Sequence, residues 1–208
     1  MLRAELHVHS TFSDGADSPV KIVRRAVELK LDCLSVTDHD TVSGSLSAMD
    51  YARDENLNIQ VIPGVEVTTS EGHLLVFGVD RDIEKGMSFR ETVEAVKRQN
   101  GVCVVPHPFQ IERKGIRRPE LFRYADGIEV FNAKYITGLF NQISKKYALK
   151  YRKPFTAGSD AHSTAEMGYG ITLFNGDFIS SLLSGKTYID GKRLPISLWL
   201  RNSLRRRI

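Results

Sequence analysis

The stretch that decides the fold is residues 5–15, ELHVHSTFSDG. Its apolar residues alternate with His7 and His9, which is the period of a β-strand with one apolar face and one imidazole face. Two imidazoles placed two residues apart on a strand can converge on a single metal ion. Asp14 follows in a turn-rich segment and can bring a carboxylate to the same place. A His-x-His pair alone is more typical of a half-exposed surface strand. Whether these histidines bind a metal ion or are surface residues therefore depends on the rest of the chain.

Apolar strand-like segments alternate with helical ones along the chain. Ser18-Pro19 is typical of a helix start, and Ser88 with Glu91 predicts a capping box. The predicted helices cover about residues 19–30, 43–55, 89–100, 139–151 and 178–183. Apolar strands are predicted at about residues 33–37, 59–66, 102–105, 127–131, 154–159 and 171–173, with a hairpin at residues 66–79.

Strand followed by helix, repeated about six times, predicts a parallel sheet covered by helices. The residues at the carboxyl ends of different strands are His9, His39, Glu66, His107, Asn132 and Asp160. Barrel enzymes place their chemistry there, whereas an open sheet concentrates it at one crevice. We therefore expect an α/β fold, a distorted TIM-like barrel, irregular at the hairpin. With no repeat or linker, residues 1–208 are predicted to form a single domain.

All six histidines of the chain lie near these strand ends or the hairpin. Together with three carboxylates they give nine potential metal ligands, which are His7, His9, Asp14, His39, Glu66, His73, His107, Asp160 and His162. One or two of the histidines can be satisfied core residues. Six imidazoles gathered beside three carboxylates without a cation would bury unpaired polar groups at a large cost in free energy. The set therefore predicts a metal centre.

The motifs resemble those of the polymerase and histidinol phosphatase (PHP) family. The matching motifs, in order, are His7-x-His9, Ser13-Asp14-Gly15, Thr37-Asp38-His39-Asp40, Gly64-Val65-Glu66, Gly72-His73, Pro106-His107-Pro108 and Ser159-Asp160-Ala161-His162. The resemblance spans residues 7–162 and implies a distorted (βα)7 barrel, which residues 163–208 would complete together with a C-terminal helix.

The resemblance also implies two to three divalent metal ions. On the family pattern, His7, His9, Glu66 and Asp160 would hold the first ion. Glu66 would bridge to a second ion completed by His73 and His107, and Asp14, His39 and His162 would hold a third. Some members carry histidine at the position of Asp14, so this chain leans toward Mn²⁺ or Fe²⁺, with Zn²⁺ as the other candidate.

The implied activity is a metal-dependent phosphoesterase that hydrolyses phosphomonoesters, with nucleotide or oligonucleotide ends as candidate substrates. A hydroxide that bridges two of the ions would be the nucleophile. We expect Glu66, Asp160 and His107 to be the catalytic residues. One alternative is an amidohydrolase-type C–N hydrolase, although no predicted strand carries a metal-bridging lysine at its ligand position. The other is a non-catalytic metal-stabilised scaffold that binds nucleic acid or protein.

Substrate contacts are predicted in the basic segment that follows His107. Its four cations, Arg113, Lys114, Arg117 and Arg118, can clamp a second phosphate or form an ordinary solvated loop. Asn132, with Lys134, can contact substrate, whereas Glu129 is expected to be structural. Asp38 and Asp40 flank His39 and either orient imidazoles or, for Asp40, cap the following helix.

Composition limits the remaining classes of function. The chain is 41% hydrophobic and 26% charged with a formal charge of +4, which is ordinary for a globular domain and mildly favours anionic partners. Four of the arginines, Arg201, Arg205, Arg206 and Arg207, lie in the last eight residues and can grip nucleic acid, solubilise or pack. We expect a cytoplasmic protein without membrane association, secretory signal or obligate protein partner, and reduced core thiols at Cys33 and Cys103.

Overall fold

The computed structural model describes residues 1–135 and 137–198. Its strands are β1 (Leu2–Glu5), β2 (Cys33–Leu34), β3 (Gln60–Val61), β4 (Gly64–Thr69), β5 (Gly72–Phe77), β6 (Val102–Val105), β7 (Gly127–Asn132), β8 (Phe155–Gly158), β9 (Gly170–Phe174) and β10 (Tyr188–Gly191). Its α-helices are α1 (Pro19–Glu28), α2 (Ser43–Asp54), α3 (Phe89–Arg98), α4 (Leu139–Tyr151) and α5 (Phe178–Leu183). Short 3₁₀ helices cover Ile111–Arg113, Pro119–Tyr124 and Thr164–Glu166. No helix in these described ranges has the length and apolar character needed to cross a bilayer.

The strands form two mixed five-stranded sheets with the orders β10-β9-β1-β2-β3 and β4-β5-β6-β7-β8. In the first sheet β1, β2 and β3 are parallel, and β9 and β10 are antiparallel additions. In the second sheet β6, β7 and β8 are parallel, whereas β4 and β5 form the hairpin that the sequence predicts. An apolar cluster that includes Leu6, Phe77 and Phe174 draws on both sheets, so the sheets share a core.

The predicted closed (βα)7 barrel is therefore wrong. Isolated bridges, Val8 with Ala161 and His39 with Glu66, lie outside the named strands and do not extend into ladders that would join the two sheets. Four strand pairs of the described residues are also antiparallel, unlike those of a (βα)7 barrel: β4–β5, β5–β6, β1–β9 and β9–β10. A two-residue hairpin cannot supply the crossover that a parallel barrel strand requires.

Local signals in the sequence set the helix starts. Ser18 accepts a hydrogen bond from the Lys21 backbone N–H with Pro19 in the first turn, and the predicted capping box of α3 is present in both directions between Ser88 and Glu91. Cys33 and Cys103 are buried free thiols, as expected. Residues 199–208, which hold the arginine tail and the end of the predicted C-terminal helix, lie outside the described residues.

The capping box gives a stability prediction. The Ser88 hydroxyl accepts a hydrogen bond from the Glu91 backbone N–H and donates one to the Glu91 carboxylate. Ser88→Ala removes both hydrogen bonds, so we expect the free energy of unfolding to fall by about 1 kcal/mol. Urea denaturation measures this change. Ser47→Ala, inside α2, is the matched control and should be neutral or slightly stabilising, because alanine is the better helix former. Equal stability of the two variants would show that the box contributes nothing.

Candidate metal centre

The structure brings all nine predicted ligands to one end of the two sheets. His7, His9 and Asp14 follow β1, and His39 follows β2. Glu66 and His73 lie within the β4–β5 hairpin. His107 follows β6, and Asp160 and His162 follow β8. Residues 155 positions apart in the chain thus meet because the carboxyl ends of the parallel strands share one edge.

Glu66 lies at the middle of this cluster and is 1% exposed. One of its oxygens, Oε1, is 2.9 Å from His107 Nε2 and 3.1 Å from His73 Nδ1. The other, Oε2, lies 3.2, 3.4 and 3.5 Å from ring nitrogens of His9, His39 and His7, respectively. Burial opposes ionisation of this carboxyl, but the charge of His7 and the hydrogen bonds from neighbouring imidazoles hold its pKa well below its usual range. Glu66 is therefore an anion that faces five imidazoles.

Ligand atoms come close enough to share a metal ion in four overlapping groups, within each of which they lie within 4.8 Å of one another. These groups are His9–Asp14–His39–His162, His7–His9–Glu66, His7–His107–Asp160 and His39–Glu66–His73. The first contains the whole predicted third set and adds His9. The other three groups hold members of the predicted first and second sets together with His39, and Glu66 is present in two of them.

The donor atoms fit divalent ions. Buried ring nitrogens that lack a hydrogen-bond partner among the described residues occur on His7, His9, His39, His73 and His107. Such groups cost free energy unless something binds them, and imidazole with carboxylate is a donor set for Zn²⁺, Fe²⁺ and Mn²⁺. Burial lowers the pKa of His9 to about 4, so at neutral pH it has the uncharged form that a metal ligand needs. The residues present therefore fit a divalent metal centre.

Glu129, which the sequence predicts as a structural residue, contacts two of the candidate ligands. Its Oε1 accepts a hydrogen bond from His7 Nδ1 at 2.9 Å, and its Oε2 accepts from the His107 backbone N–H at 2.7 Å and from Asn132 Nδ2 at 3.0 Å. A carboxylate on Nδ1 fixes the ring tautomer and leaves His7 Nε2 available to a metal. Glu129 also fixes the backbone of His107, whose φ is +27°. The available signal was an acidic residue in the otherwise apolar strand β7.

Asp160 is surrounded by cations of this chain. Its Oδ2 accepts a hydrogen bond from Arg113 at 2.5 Å, and its Oδ1 lies 3.6 Å from Lys134 Nζ. Burial opposes ionisation of Asp160, but Lys134 and Arg113 hold its pKa well below its usual range. Lys134 Nζ also lies 2.6 Å from His162 Nδ1 and 3.6 Å from Glu166 Oε2. The sequence predicts Lys134 as a substrate contact, and the structure places it against Asp160, His162 and Glu166.

Asp38 and Asp40 do not have the contacts expected from the sequence. Asp38 accepts hydrogen bonds from the Ser10 N–H and hydroxyl and from the Ser13 hydroxyl, so it holds the loop that carries His9 and Asp14. Asp40 accepts from the N–H and hydroxyl of Thr68. Neither described carboxylate orients an imidazole, and the N-cap of α2 is Val42, without a side-chain cap. Both aspartates fix loops against neighbouring elements.

The ligand cluster forms the floor of a cavity of about 350 Å³. Arg113 and Lys114 line it, and the backbone of Lys114 is fixed by its carbonyl, which accepts from the His73 N–H at 2.9 Å. Arg117 and Arg118 are exposed and do not line it, and Arg118 pairs instead with Glu120 at 2.8 Å. Asn132 is buried beside Glu129 and lies behind the ligands. Half of the predicted basic segment thus reaches the cavity.

The chain is similar in sequence to curated proteins of two organisms. The chain is 29% identical over 160 residues to the uncharacterized protein MJ1587 of Methanocaldococcus jannaschii, covering 72% of this chain and 92% of that protein. It is 35% identical over 98 residues to the 5′-3′ exoribonuclease Rnm of Escherichia coli K12, covering 46% of this chain and 33% of that enzyme.

The fold is also shared with a solved structure. A two-domain protein of Bacteroides vulgatus, described as containing a predicted PHP-like metal-dependent phosphoesterase, superposes with a TM-score of 0.76 at 22% identity, covering 92% of this chain and 65% of that one. Residues 138–187 match the PHP-associated family. Residues 5–154, well over half of the chain, match the PHP domain, and the chain therefore belongs to the PHP domain family.

Proposed function

We propose that this PHP-family chain is a metal-dependent phosphoesterase that removes phosphate from phosphomonoesters, with nucleotides and oligonucleotide ends as its substrate class. The observation that carries the proposal is the joint position of two features in one cavity. An imidazole and carboxylate cluster around Glu66 forms the floor, and Arg113 and Lys114 line the same space. The similarity to an exoribonuclease over part of its length supports a nucleic-acid-derived substrate.

The proposed ligand sets follow the family pattern. They are His7, His9, Glu66 and Asp160, then Glu66, His73 and His107, then Asp14, His39 and His162. Divalent ions bound there would neutralise charge on the phosphate oxygens and lower the pKa of bound water toward about 7. Asp14 is about half exposed and His39 is partly exposed, so we expect the third set to exchange its ion most easily. Mn²⁺ and Fe²⁺ are the favoured occupants because every set combines imidazole with at least one carboxylate, and the first set has two carboxylates.

Other side chains of the cavity would bind the substrate and keep the ligands in place. Arg113 keeps one edge on Asp160 and is 20% exposed, so its remaining N–H groups can donate to a phosphate in the cavity. Glu66 and Asp160 are both held as anions and do not serve as proton donors. Glu129 keeps His7 in one tautomer throughout, which preserves the geometry of the centre.

Hydrolysis of a C–N bond is the competing candidate. Because a metal-bridging lysine would favour that reaction, the position of Lys134 helps to decide between the two. Lys134, which the sequence predicts as a substrate contact and not as a metal-bridging group, reaches the cluster just after β7. Its Nζ lies within 3.6 Å of both Asp160 and Glu166, which favours an ammonium ion over a metal-bridging group. The cationic lining of the cavity also suits an anionic substrate. Phosphoester hydrolysis is therefore preferred to C–N hydrolysis, and an open cavity over the ligands argues against a pure scaffold.

The test is a substrate screen on Mn²⁺-loaded protein with a chelated control. We expect phosphate release from mononucleotides or from 5′-phosphorylated oligonucleotides, and loss of that release on chelation. Release of ammonia or amine from amide substrates, with phosphoesters untouched, would support the competing C–N hydrolase. Absence of turnover on either class by metal-loaded protein would support the scaffold.

Lys114 gives a prediction about specificity. Lys114→Gln is expected to raise KM about tenfold for substrates with a second phosphate and to leave kcat nearly unchanged, because it removes binding shared by ground and transition states. The double variant Arg117→Gln/Arg118→Gln, outside the cavity, is the control and should keep KM for both substrate classes. Steady-state kinetics on a nucleoside monophosphate and a bisphosphate measures the difference. A raised KM for the bisphosphate in the Arg117→Gln/Arg118→Gln variant, with an unchanged KM in Lys114→Gln, would instead place the second phosphate at Arg117 and Arg118.

A further inference from the structure

A second concave site lies at the opposite end of the strands from the metal centre. We call it the basic hollow and define it by Arg90, Glu94, Lys97, Arg123, Asp126 and Lys153, which line a cavity of about 270 Å³. We propose that the basic hollow binds a small phosphorylated anion at a site separate from the catalytic cavity.

The position of the basic hollow excludes direct contact with the metal centre. Lys97 is in the last turn of α3, before β6. Asp126 directly precedes β7, and Lys153 precedes β8. The candidate ligands follow the other ends of these strands. Four residues of β6 alone span about 13 Å at the usual rise of a strand, so one small ligand cannot touch both sites.

The charges of the basic hollow are not balanced from within. It has four cations and two carboxylates, and Asp126 already accepts a hydrogen bond from the Cys103 backbone N–H at 2.8 Å. Within the ranges that the structure describes, none of the four cations has a carboxylate oxygen within the 4.0 Å of an ion pair. Burial lowers the pKa of Lys153 and nearby Lys97 adds to the decrease, while Asp126 opposes it. The surplus of two positive charges matches a phosphate dianion.

Two of the cations are held in place by aromatic rings. The guanidinium of Arg90 lies over the Tyr124 ring at 4.9 Å, and that of Arg123 lies 5.8 Å from the centre of the Tyr151 ring. Stacking leaves the N–H edges of a guanidinium free to donate and reduces the rotamer freedom that binding must remove. The arginines are therefore positioned for an oxyanion before one arrives.

The size of the basic hollow selects the class of ligand. A phosphate group with a small attached group fits a concavity of about 270 Å³. A nucleic-acid strand instead needs cations spread along a track several nucleotides long. The four cations converge on one concavity, which favours the small anion.

The test is inorganic phosphate titrated into the full chain loaded with diamagnetic Zn²⁺ and followed by amide chemical shifts. We expect saturable shifts at Lys97, Arg123 and Asp126, and binding at least about tenfold weaker in Lys97→Gln/Lys153→Gln, because two charge-assisted contacts are lost. The matched control is Lys146→Gln/Lys186→Gln, which removes two exposed lysines elsewhere and should bind like the parent.

Each outcome is decisive, because the amide of Lys114 reports the catalytic cavity independently. Shifts at Lys114 in all proteins, with shifts at the basic hollow lost only in Lys97→Gln/Lys153→Gln, would establish the second site. No saturable shift at the basic hollow, or equal weakening in both double variants, would overturn it whatever happens at Lys114. Shifts there caused by a single-stranded oligonucleotide but not by phosphate would also overturn the small-anion proposal. Thermal melting of each variant confirms that it is folded.

Discussion

Replacement of Glu66 by glutamine is expected to lower kcat/KM for phosphomonoester hydrolysis by at least about 10³-fold, or roughly 4 kcal/mol of transition-state stabilisation. The reason is geometric. The two oxygens of Glu66 face different imidazoles, with His73 and His107 on Oε1 and His7, His9 and His39 on Oε2. A glutamine keeps the shape, but it presents one acceptor and one N–H₂ donor and has no charge. Two proposed metal positions are therefore disturbed by one substitution.

Three variants make the comparison. His73→Gln removes a ligand from one proposed set only and is expected to have the smaller effect. Glu84→Gln, an exposed carboxylate away from the cavity, should leave kcat/KM unchanged. Steady-state kinetics with metal content measured on the same samples separates lost metal from lost chemistry. Near-normal turnover by the Glu66→Gln variant would contradict the proposal that Glu66 bridges two metal ions.

Replacement of Glu129 by glutamine has the second largest expected effect, a loss of about 10- to 100-fold in metal affinity or activity. Glu129 accepts from His7 Nδ1 on one oxygen and from the His107 N–H on the other. A glutamine has only one oxygen, so its amide N–H₂ must face one of these two donors. Space for relaxation is small, since a side-chain carbon on the neighbouring Gly158 would lie 2.4 Å from Glu129 Oε1.

The measurement for Glu129 is a competition titration of bound metal against a chelator, together with kcat. Glu120→Gln, an exposed carboxylate paired with Arg118, is the control and should match the parent. A merely structural Glu129 would lower thermal stability and leave the metal affinity of the folded fraction unchanged. A shift in affinity beyond any change in folded fraction is the signature of a positioning residue.

Local features of the fold could be predicted because their causes are local. Alternation around His7 and His9, the Ser18-Pro19 start, the Ser88–Glu91 box and the β4–β5 turn each depend on residues a few positions apart. The helix α4 at residues 139–151 and the helix α5 at residues 178–183 were predicted with the bounds that the structure has. The closed barrel was wrong because pairing between distant strands leaves no local pattern: nothing near Leu173 indicates that it pairs antiparallel with Arg3.

In the candidate site, too, features with a local cause could be predicted from the sequence and long-range contacts could not. The nine predicted ligands converge because each follows an apolar strand or lies in the hairpin, a pattern that a single sequence displays. Their assignment to particular metal ions stays a prediction. The missed contacts are long-range: Glu129 with His7 spans 122 positions, and Arg113 with Asp160 spans 47. An acidic residue in a strand, or an arginine in a loop, carries no sign of its partner.

The most direct test of the central claim is metal reconstitution of the chelated full chain, with stoichiometry and phosphate release measured on the same samples. We predict that two to three Mn²⁺ or Fe²⁺ ions bind per chain and that hydrolysis of a nucleotide phosphomonoester rises with metal occupancy. A chain that binds no divalent ion in this cluster, or that hydrolyses the ester equally well after chelation, would contradict it.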